Sequence, residues 1–353
     1  METMKKLIDK LAQTRALSRE EFKSLLLSSS DNALRAYAAK RAGEKAVKRF
    51  GKGIYIRGLI EISNICKNDC YYCGLRRSNT KCRRYRLTEE EILDCCRQGH
   101  GLGFRTFVLQ GGEDGGFSDE SLCALVKEIK KRYPDCAVTL SVGERERDVY
   151  QQFFDAGADR YLLRHETADD EHYSKLHPAN LSLEKRKQCL YDLKEIGFQV
   201  GTGFLVGSPY QTIDNLCSDL LFIQEFRPQM IGIGPFIPHQ DTPFKNEPAG
   251  SLVLTLFLLS LLRLGHPNSL IPATTAVGTL CEDGREQAIL AGANVVMPNL
   301  SPSLHRKDYM LYDNKLSDGA EGAEAKDVLE ARLDKIGFHI VTDRGDFKAI
   351  EIE

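Results

Sequence analysis

Three cysteines stand close together in the run Cys66-Lys-Asn-Asp-Cys70-Tyr-Tyr-Cys73, a C-x3-C-x2-C spacing. A structural zinc site normally closes its shell with four ligands, and no fourth Cys or His follows at finger-like spacing. Three thiolates suit instead a 4Fe-4S cube with one iron left open for a small ligand. The plainer alternative is a zinc-binding or chance trio. Two further runs could do chemistry. Gln110-Gly-Gly-Glu113 brings glycines that let backbone approach a ligand, although an ordinary strand-to-helix turn would look the same. Arg164-His165-Glu166 follows the apolar Tyr161-Leu-Leu163, and charges in such a place need a ligand or each other. Within it His165 reads as structural. Gly201-Thr-Gly-Phe-Leu-Val-Gly207 lacks the third glycine in register of a dinucleotide fingerprint, so it reads as a strand thinned by glycine.

Such residues need a frame. Short β-rich apolar runs alternate with helical patterns along most of the chain, the signature of parallel βα units. Eight strands are expected, at 54–62, 105–110, 137–142, 160–164, 199–206, 230–234, 270–273 and 294–297. Between them helices are expected at 88–99, 118–133, 146–155, 182–196, 212–225, 251–264 and 283–290, several opened by Ser, Thr or Asp. The count fits an α/β fold with a complete (β/α)8 TIM barrel better than a doubly wound sheet. In such a barrel chemistry sits at the C-terminal ends of the strands, and the cysteine triplet falls directly after the first of them. Residues 1–50 read as N-terminal helices: one around Met4 to Ala12, one opened by Ser18 with Glu21, one near Ser30-Asp31. The barrel is expected over 51–300. Residues 301–353 are expected to form a C-terminal capping segment, with Asp318 to Glu324 as a mobile loop.

Composition narrows the class further. The net charge is −2 and the basic run Lys81-Cys-Arg-Arg-Tyr-Arg86 is read as solvated or ligand-facing, so no nucleic-acid partner is expected. No apolar leader opens the sequence, and the most apolar stretch, 252–264, is too short to span a bilayer; a cytoplasmic protein without a membrane is expected. Eleven cysteines in such a chain point to metal or redox chemistry rather than a disulfide framework. Eight of them, Cys82, Cys95, Cys96, Cys123, Cys136, Cys189, Cys217 and Cys281, read as small buried hydrophobes.

The triplet in the first βα loop, with an aromatic before its last Cys, resembles the motif of the radical S-adenosylmethionine (SAM) superfamily. Longer phrases extend the resemblance over about residues 54–313, toward the biotin synthase and methylornithine synthase group and most of all the HydE family of iron-iron hydrogenase maturases. They are Ser63 to Arg77, Leu109 to Glu113, Gly157 to Thr167, Ile231 to His239 and Ile271 to Ala276. The resemblance implies a 4Fe-4S cluster on Cys66, Cys70 and Cys73, with SAM held by Gly112, Glu113, Ser141, Glu166 and Arg186. It further implies a substrate cavity lined by Arg164, Thr274, Thr275, Met297, Tyr309 and Tyr312. The implied reaction is reductive cleavage of SAM to a 5′-deoxyadenosyl radical. That radical would act on a cysteine-ligated iron carbonyl cyanide precursor supplied by HydG, with product passed to HydF and electrons from a reductant protein. Two departures stand out: Tyr210 occupies the place of an acid in the superfamily's fifth-strand element, and no cysteine follows Cys281, so no second cluster is expected. A methylornithine synthase-like lysine mutase and a non-catalytic Fe-S carrier are the rival readings.

Overall fold

The computed structural model describes residues 2–316 and 322–349. Its strands are β1 (Gly53–Ile56), β2 (Gly58–Ser63), β3 (Thr106–Gly111), β4 (Ala137–Ser141), β5 (Arg160–Leu162), β6 (Gln199–Thr202), β7 (Leu205–Val206), β8 (Met230–Ile231), β9 (Gly234–Pro235), β10 (Val295–Val296) and β11 (His339–Val341). An all-parallel sheet runs β2-β3-β4-β5-β6-β8, with helices following the strands. Its register separates two jobs. The row Ile60, Leu109, Leu140, Tyr161 and Val200 is fully buried, whereas the next row, Glu61, Gln110 and Ser141, presents polar groups on the opposite face. Each buried aliphatic of the first row contributes roughly 1.5–3 kcal/mol by leaving water.

The expected ring of eight regular strands is an arc of six, extended by single parallel bridges at Met230–Leu270, Pro272–Val295 and Leu59–Asn299. Proline explains the weak sector: Pro272 and Pro298 lie in it, and neither can donate to a ladder. The expected strand at 270–273 is therefore reduced to bridges. Three other expected strands are divided. That at 54–62 breaks at Arg57, so that β1 joins β10 and β11 in a second sheet. Those at 199–206 and 230–234 break where Gly203 meets Gly232; a Cβ on Gly203 would stand 1.9 Å from the Gly232 carbonyl oxygen. Beyond the break β7 and β9 pair as a separate ribbon.

Helix starts follow their caps closely. Ser18 and Thr88 form capping boxes on Arg19–Leu27 and Glu89–Gly101, and Asp31 caps Asn32–Phe50. The apolar helix Leu252–Gly265 is buried against Asn32–Phe50, and among the described residues no helix is long and apolar enough to cross a membrane. Short helices at Asp170–Leu176, Thr275–Leu280 and Ser303–Arg306 were too brief to show periodicity. The expected mobile loop at 318–324 falls partly on residues 317–321, outside the described residues; from Gly322 the chain is helical to Lys335. β11 follows, and the segment beyond it reaches the N-terminal ends of β3 and β5. There Arg160 donates to the Arg344 carbonyl at 2.7 Å and to Asp346 at 2.6 Å, and Thr106 donates to the Arg344 carbonyl at 2.8 Å.

Candidate functional site

The cysteine loop leaves the C-terminal end of β2 and is pinned from several sides. Gly112 lies so close that an added Cβ would be 2.2 Å from the Ile65 carbonyl oxygen and 2.7 Å from the Cys66 Cβ. The Lys67, Tyr71 and Gly74 amides donate to the carbonyls of Glu113, Leu176 and Leu311. Arg84 donates to four carbonyls of the loop, those of Asn64, Leu75, Arg76 and Asn79. Lys81, Arg83 and Arg86 of the basic run at 81–86 are exposed, as expected from its charge, while pairing with Asp241, Asp308 and Asp114; Arg84 departs from that expectation by turning in to the loop. Long cations placed beside a loop full of exposed carbonyls find acceptors within the chain.

All three thiols are half-buried and free. Burial pushes the Cys66 thiol up, the Cys70 thiol to about 12 and the Cys73 thiol further still. Half-buried unpaired thiols of this kind are poorly solvated as thiolates, and a metal group that accepts thiolates would relieve that desolvation. Among the described residues only His100, Asp135 and Cys136 bring three donor atoms within 4.8 Å of one another, so the triplet is spread wider than one ion requires. That spread fits a polynuclear cluster better than a single zinc. Of the other eight cysteines five are buried as expected, and Cys82, Cys123 and Cys281 are only partly so.

Next to the thiols lies a connected set of polar groups. Glu113, at the end of β3, is buried; its Oε1 accepts from the Glu144 amide at 3.0 Å and its Oε2 is 3.1 Å from Lys67 Nζ. Gly143 makes room for it, with φ +82° and Glu113 Cγ 2.0 Å from where a Cβ would be. Ser141, half-buried at the end of β4, registers with Gln110. Arg186 is buried and paired with Glu144, and it donates to the Arg164 carbonyl at 2.7 Å. Its positive charge also reaches Cys70, opposing the effect of burial there. Glu166 takes the left-handed backbone, φ +65°, which is uncommon outside glycine.

Just beyond the C-terminal end of β5 Arg164 and Glu166 form an ion pair at 2.9 Å, but off hydrogen-bond alignment, so that Arg164 Nε and Nη2 and Glu166 Oε2 are buried without hydrogen-bond partners. Thr274 Oγ1 is equally orphaned; Thr274 stands at the N-terminus of Thr275–Leu280 yet makes no capping bond. Tyr312 is pushed up to about 12, chiefly by burial, and feels Thr279, Arg285, Glu61 and Arg164 around it. Tyr309 is buried and accepts from Gln110 at 3.3 Å. Two residues missed in the sequence complete this wall. Glu61 is fully buried and ion-paired with Lys315, and Asn299 donates to it at 2.9 Å. A lone carboxylate in the apolar run Leu59-Ile-Glu61-Ile was the available signal. Thr275 is half-buried beside Thr274, whereas Met297 packs with Met230, Leu270 and Val295, near Phe50 and Tyr55.

Three comparisons bear on this site. Residues 60–223 match the family model described as the radical SAM superfamily. The [FeFe] hydrogenase maturase subunit HydE of Thermotoga maritima is 47% identical over 89% of this chain and 89% of its own length. The 3-methylornithine synthase of Methanosarcina barkeri is 29% identical over 97% and 95%. Among solved structures, methylornithine synthase (PylB) superposes with a TM-score of 0.82 at 28% identity, covering 95% of this chain and 97% of that one.

Proposed function

The chain belongs to the radical SAM superfamily and is a radical SAM enzyme of the HydE family, and from that premise we propose that it matures the active-site cluster of [FeFe] hydrogenase. Cys66, Cys70 and Cys73 would hold a 4Fe-4S cluster, and Gly112, Glu113, Ser141, Glu166 and Arg186 would hold SAM. The observation that carries this reading is the set of buried polar atoms on Arg164, Glu166 and Thr274 that make no hydrogen bond, the first two joined only by an ion pair, which lie with Arg186 and the thiols at the C-terminal ends of the strands. Buried orphans are costly unless a ligand meets them. When bound, cluster and SAM together supply a 5′-deoxyadenosyl radical by one-electron reduction.

The chain's own part is binding and exclusion. Arg164, held by its ion pair with Glu166, offers the Nε and Nη2 donors that make no hydrogen bond to an anionic or carbonyl-like group of the substrate, and Thr274 offers a hydroxyl. Tyr309 and Tyr312 keep that wall dry, and Glu61 with Lys315 adds a neutralised pair that holds residues 309–315 against β2. We propose as substrate a cysteine-ligated iron carbonyl cyanide precursor coming from HydG, with product going to HydF and electrons from a reductant protein. The single bridges at 270–272 and 295–299 would complete an eightfold barrel over residues 51–300, with 1–50 as a helical segment and 301–353 as its cap. A methylornithine synthase-like reading has one observation in its favour, the buried acid Glu61, which would suit an amino-acid ammonium; Lys315 already fills that role.

The test is anaerobic reconstitution followed by SAM and dithionite, with 5′-deoxyadenosine measured, and then maturation in vitro with HydG and HydF. Hydrogen evolution restored by the wild type and lost with Cys66→Ser is the expected result. Failure in maturation with conversion of lysine to methylornithine would move the assignment to the mutase. No deoxyadenosine at full cluster loading would leave an Fe-S carrier.

A further inference from the structure

Behind Arg164 and Glu166, on the helix side of the sheet, two polar residues are buried where apolar ones would pack. His165 and Asp219 are both 0% exposed. His165 Nδ1 is 2.8 Å from Thr202 Oγ1 on β6, and its ring stands edge-on to Phe222 and tilted to Phe204. Its Nε2 is 3.4 Å from Asp219 Oδ1, and the same Oδ1 accepts from the Ala168 amide at 2.5 Å. Asp219 lies in Ile213–Phe226, the helix that follows β7. One carboxylate from a neighbouring βα unit therefore touches the chain on both sides of Glu166: it holds the Ala168 amide after it by a hydrogen bond, and it packs against His165 before it, whose Nε2 makes no hydrogen bond.

The residue between those grips has the left-handed backbone, φ +65°, held further by its amide donating to Gly203 and its carbonyl accepting from Leu205. A non-glycine residue persists there only when its surroundings over-determine it. A buried polar pair is a poor source of net stability compared with apolar packing, so its value lies in fixing one geometry. We infer that Asp219, acting through His165 and the Ala168 amide, is a positioning residue that sets the direction of Arg164 and Glu166 into the barrel mouth. The alternation of the loop makes this possible: residues 165 and 167 are buried outward while 164 and 166 reach the mouth. Burial drives His165 toward the neutral imidazole and Asp219 toward the neutral acid, in keeping with a pair that holds shape rather than charge.

This inference rests on the reading of residues 164 and 166 as ligand-facing, and the experiment separates the two. Cluster-loaded Asp219→Leu, Asp219→Asn and His165→Phe are compared with wild type for iron content, thermal midpoint, SAM affinity by calorimetry, and the change in the reduced-cluster EPR spectrum when SAM is added. Hydrogen exchange of the Ala168 amide reports the grip itself. With fold and iron intact, Asp219→Leu and His165→Phe should bind SAM about tenfold more weakly and form 5′-deoxyadenosine on the order of a hundredfold more slowly. The Ala168 amide should exchange faster in Asp219→Leu. Asp219→Asn, which keeps an acceptor for Ala168 and offers a donor to His165, should recover most of the loss. SAM affinity, EPR response and turnover within twofold of wild type in a folded His165→Phe would overturn the positioning role even if the Leu variant does not fold. No SAM binding by wild type would remove the ligand-facing reading and the inference with it.

Discussion

Two arginines four residues apart, Arg160 and Arg164, mark the two ends of the parallel sheet. Arg160 opens β5 at the N-terminal end and is 0% exposed. It donates to Thr106, the Arg344 carbonyl and Asp346, with Gln199 at 3.4 Å, and the segment after β11 supplies two of those partners, Arg344 and Asp346. Arg164 follows β5 at the C-terminal end and leaves Nε and Nη2 without hydrogen bonds. Arg57 beside the first site has one unpartnered nitrogen of its own, so the floor is not perfectly satisfied. The difference still separates two uses of the same side chain. A buried cation whose donors are met by hydrogen bonds from within the chain is a structural fastener, whereas Arg164, ion-paired with Glu166 but short of hydrogen bonds at a strand C-terminus, has the donors that the proposed ligand role requires.

The largest effect expected is at the mouth. Cys70→Ser should abolish the roughly four irons per chain and all SAM cleavage, while the floor, and with it the thermal midpoint of the metal-free protein, stays put. Full 4Fe-4S absorbance in that variant would end the assignment of the triplet. At the floor, Arg160→Met should destabilise by about 3–5 kcal/mol in denaturant unfolding, because it strands Asp346 and several acceptors. Arg164→Met, which removes one ion pair with Glu166 and no hydrogen bond from the guanidinium Nε or Nη2, should cost less stability than Arg160→Met yet impair maturation. If the two variants lose equal stability, the contrast between the ends is wrong.

Arg186→Ala should weaken SAM binding by about 1.5–3 kcal/mol and leave the cluster in place, as read by calorimetry and iron analysis. An acid titration probes the floor more gently. Burial would raise the Asp346 carboxyl, but Arg344 and Arg160 outweigh it and hold the group at about 2 instead of 3.8. A depressed carboxyl contributes stability that is fully present above its unfolded value and is lost as pH falls through the folded one. Wild type should therefore lose stability between about pH 4 and pH 2 that Asp346→Asn lacks already; parallel curves for the two would discount the pair. The smallest effect is Thr274→Val. Losing an N-terminal Thr usually costs about 1 kcal/mol, but Thr274 makes no capping bond and its hydroxyl is an orphan, so stability should hold or rise slightly while turnover falls.

Sequence and structure part company at particular residues. The thiol spacing and the caps at Ser18, Asp31 and Thr88 were visible because each acts through neighbours a few residues away. The expected strand at 270–273 was misjudged because its apolar pattern outweighed Pro272, which removes a ladder donor. In the run at 81–86 charge foretold the solvated Lys81, Arg83 and Arg86 but not Arg84, which finds four carbonyls only after the loop has folded back on it.

What the sequence determined by itself was local: alternating strand and helix periods, parallel βα order, and a cysteine triplet that must follow a strand end. The tertiary structure decided which polar groups meet. Glu61 and Lys315 are 254 positions apart, Arg160 and Asp346 are 186 apart, and His165 reaches Asp219 from another βα unit. No pattern within a window of the chain encodes such pairs. They arise because parallel strands bring distant segments to one end of the sheet, where burial forces every charge either to find a partner or to be left open for a ligand.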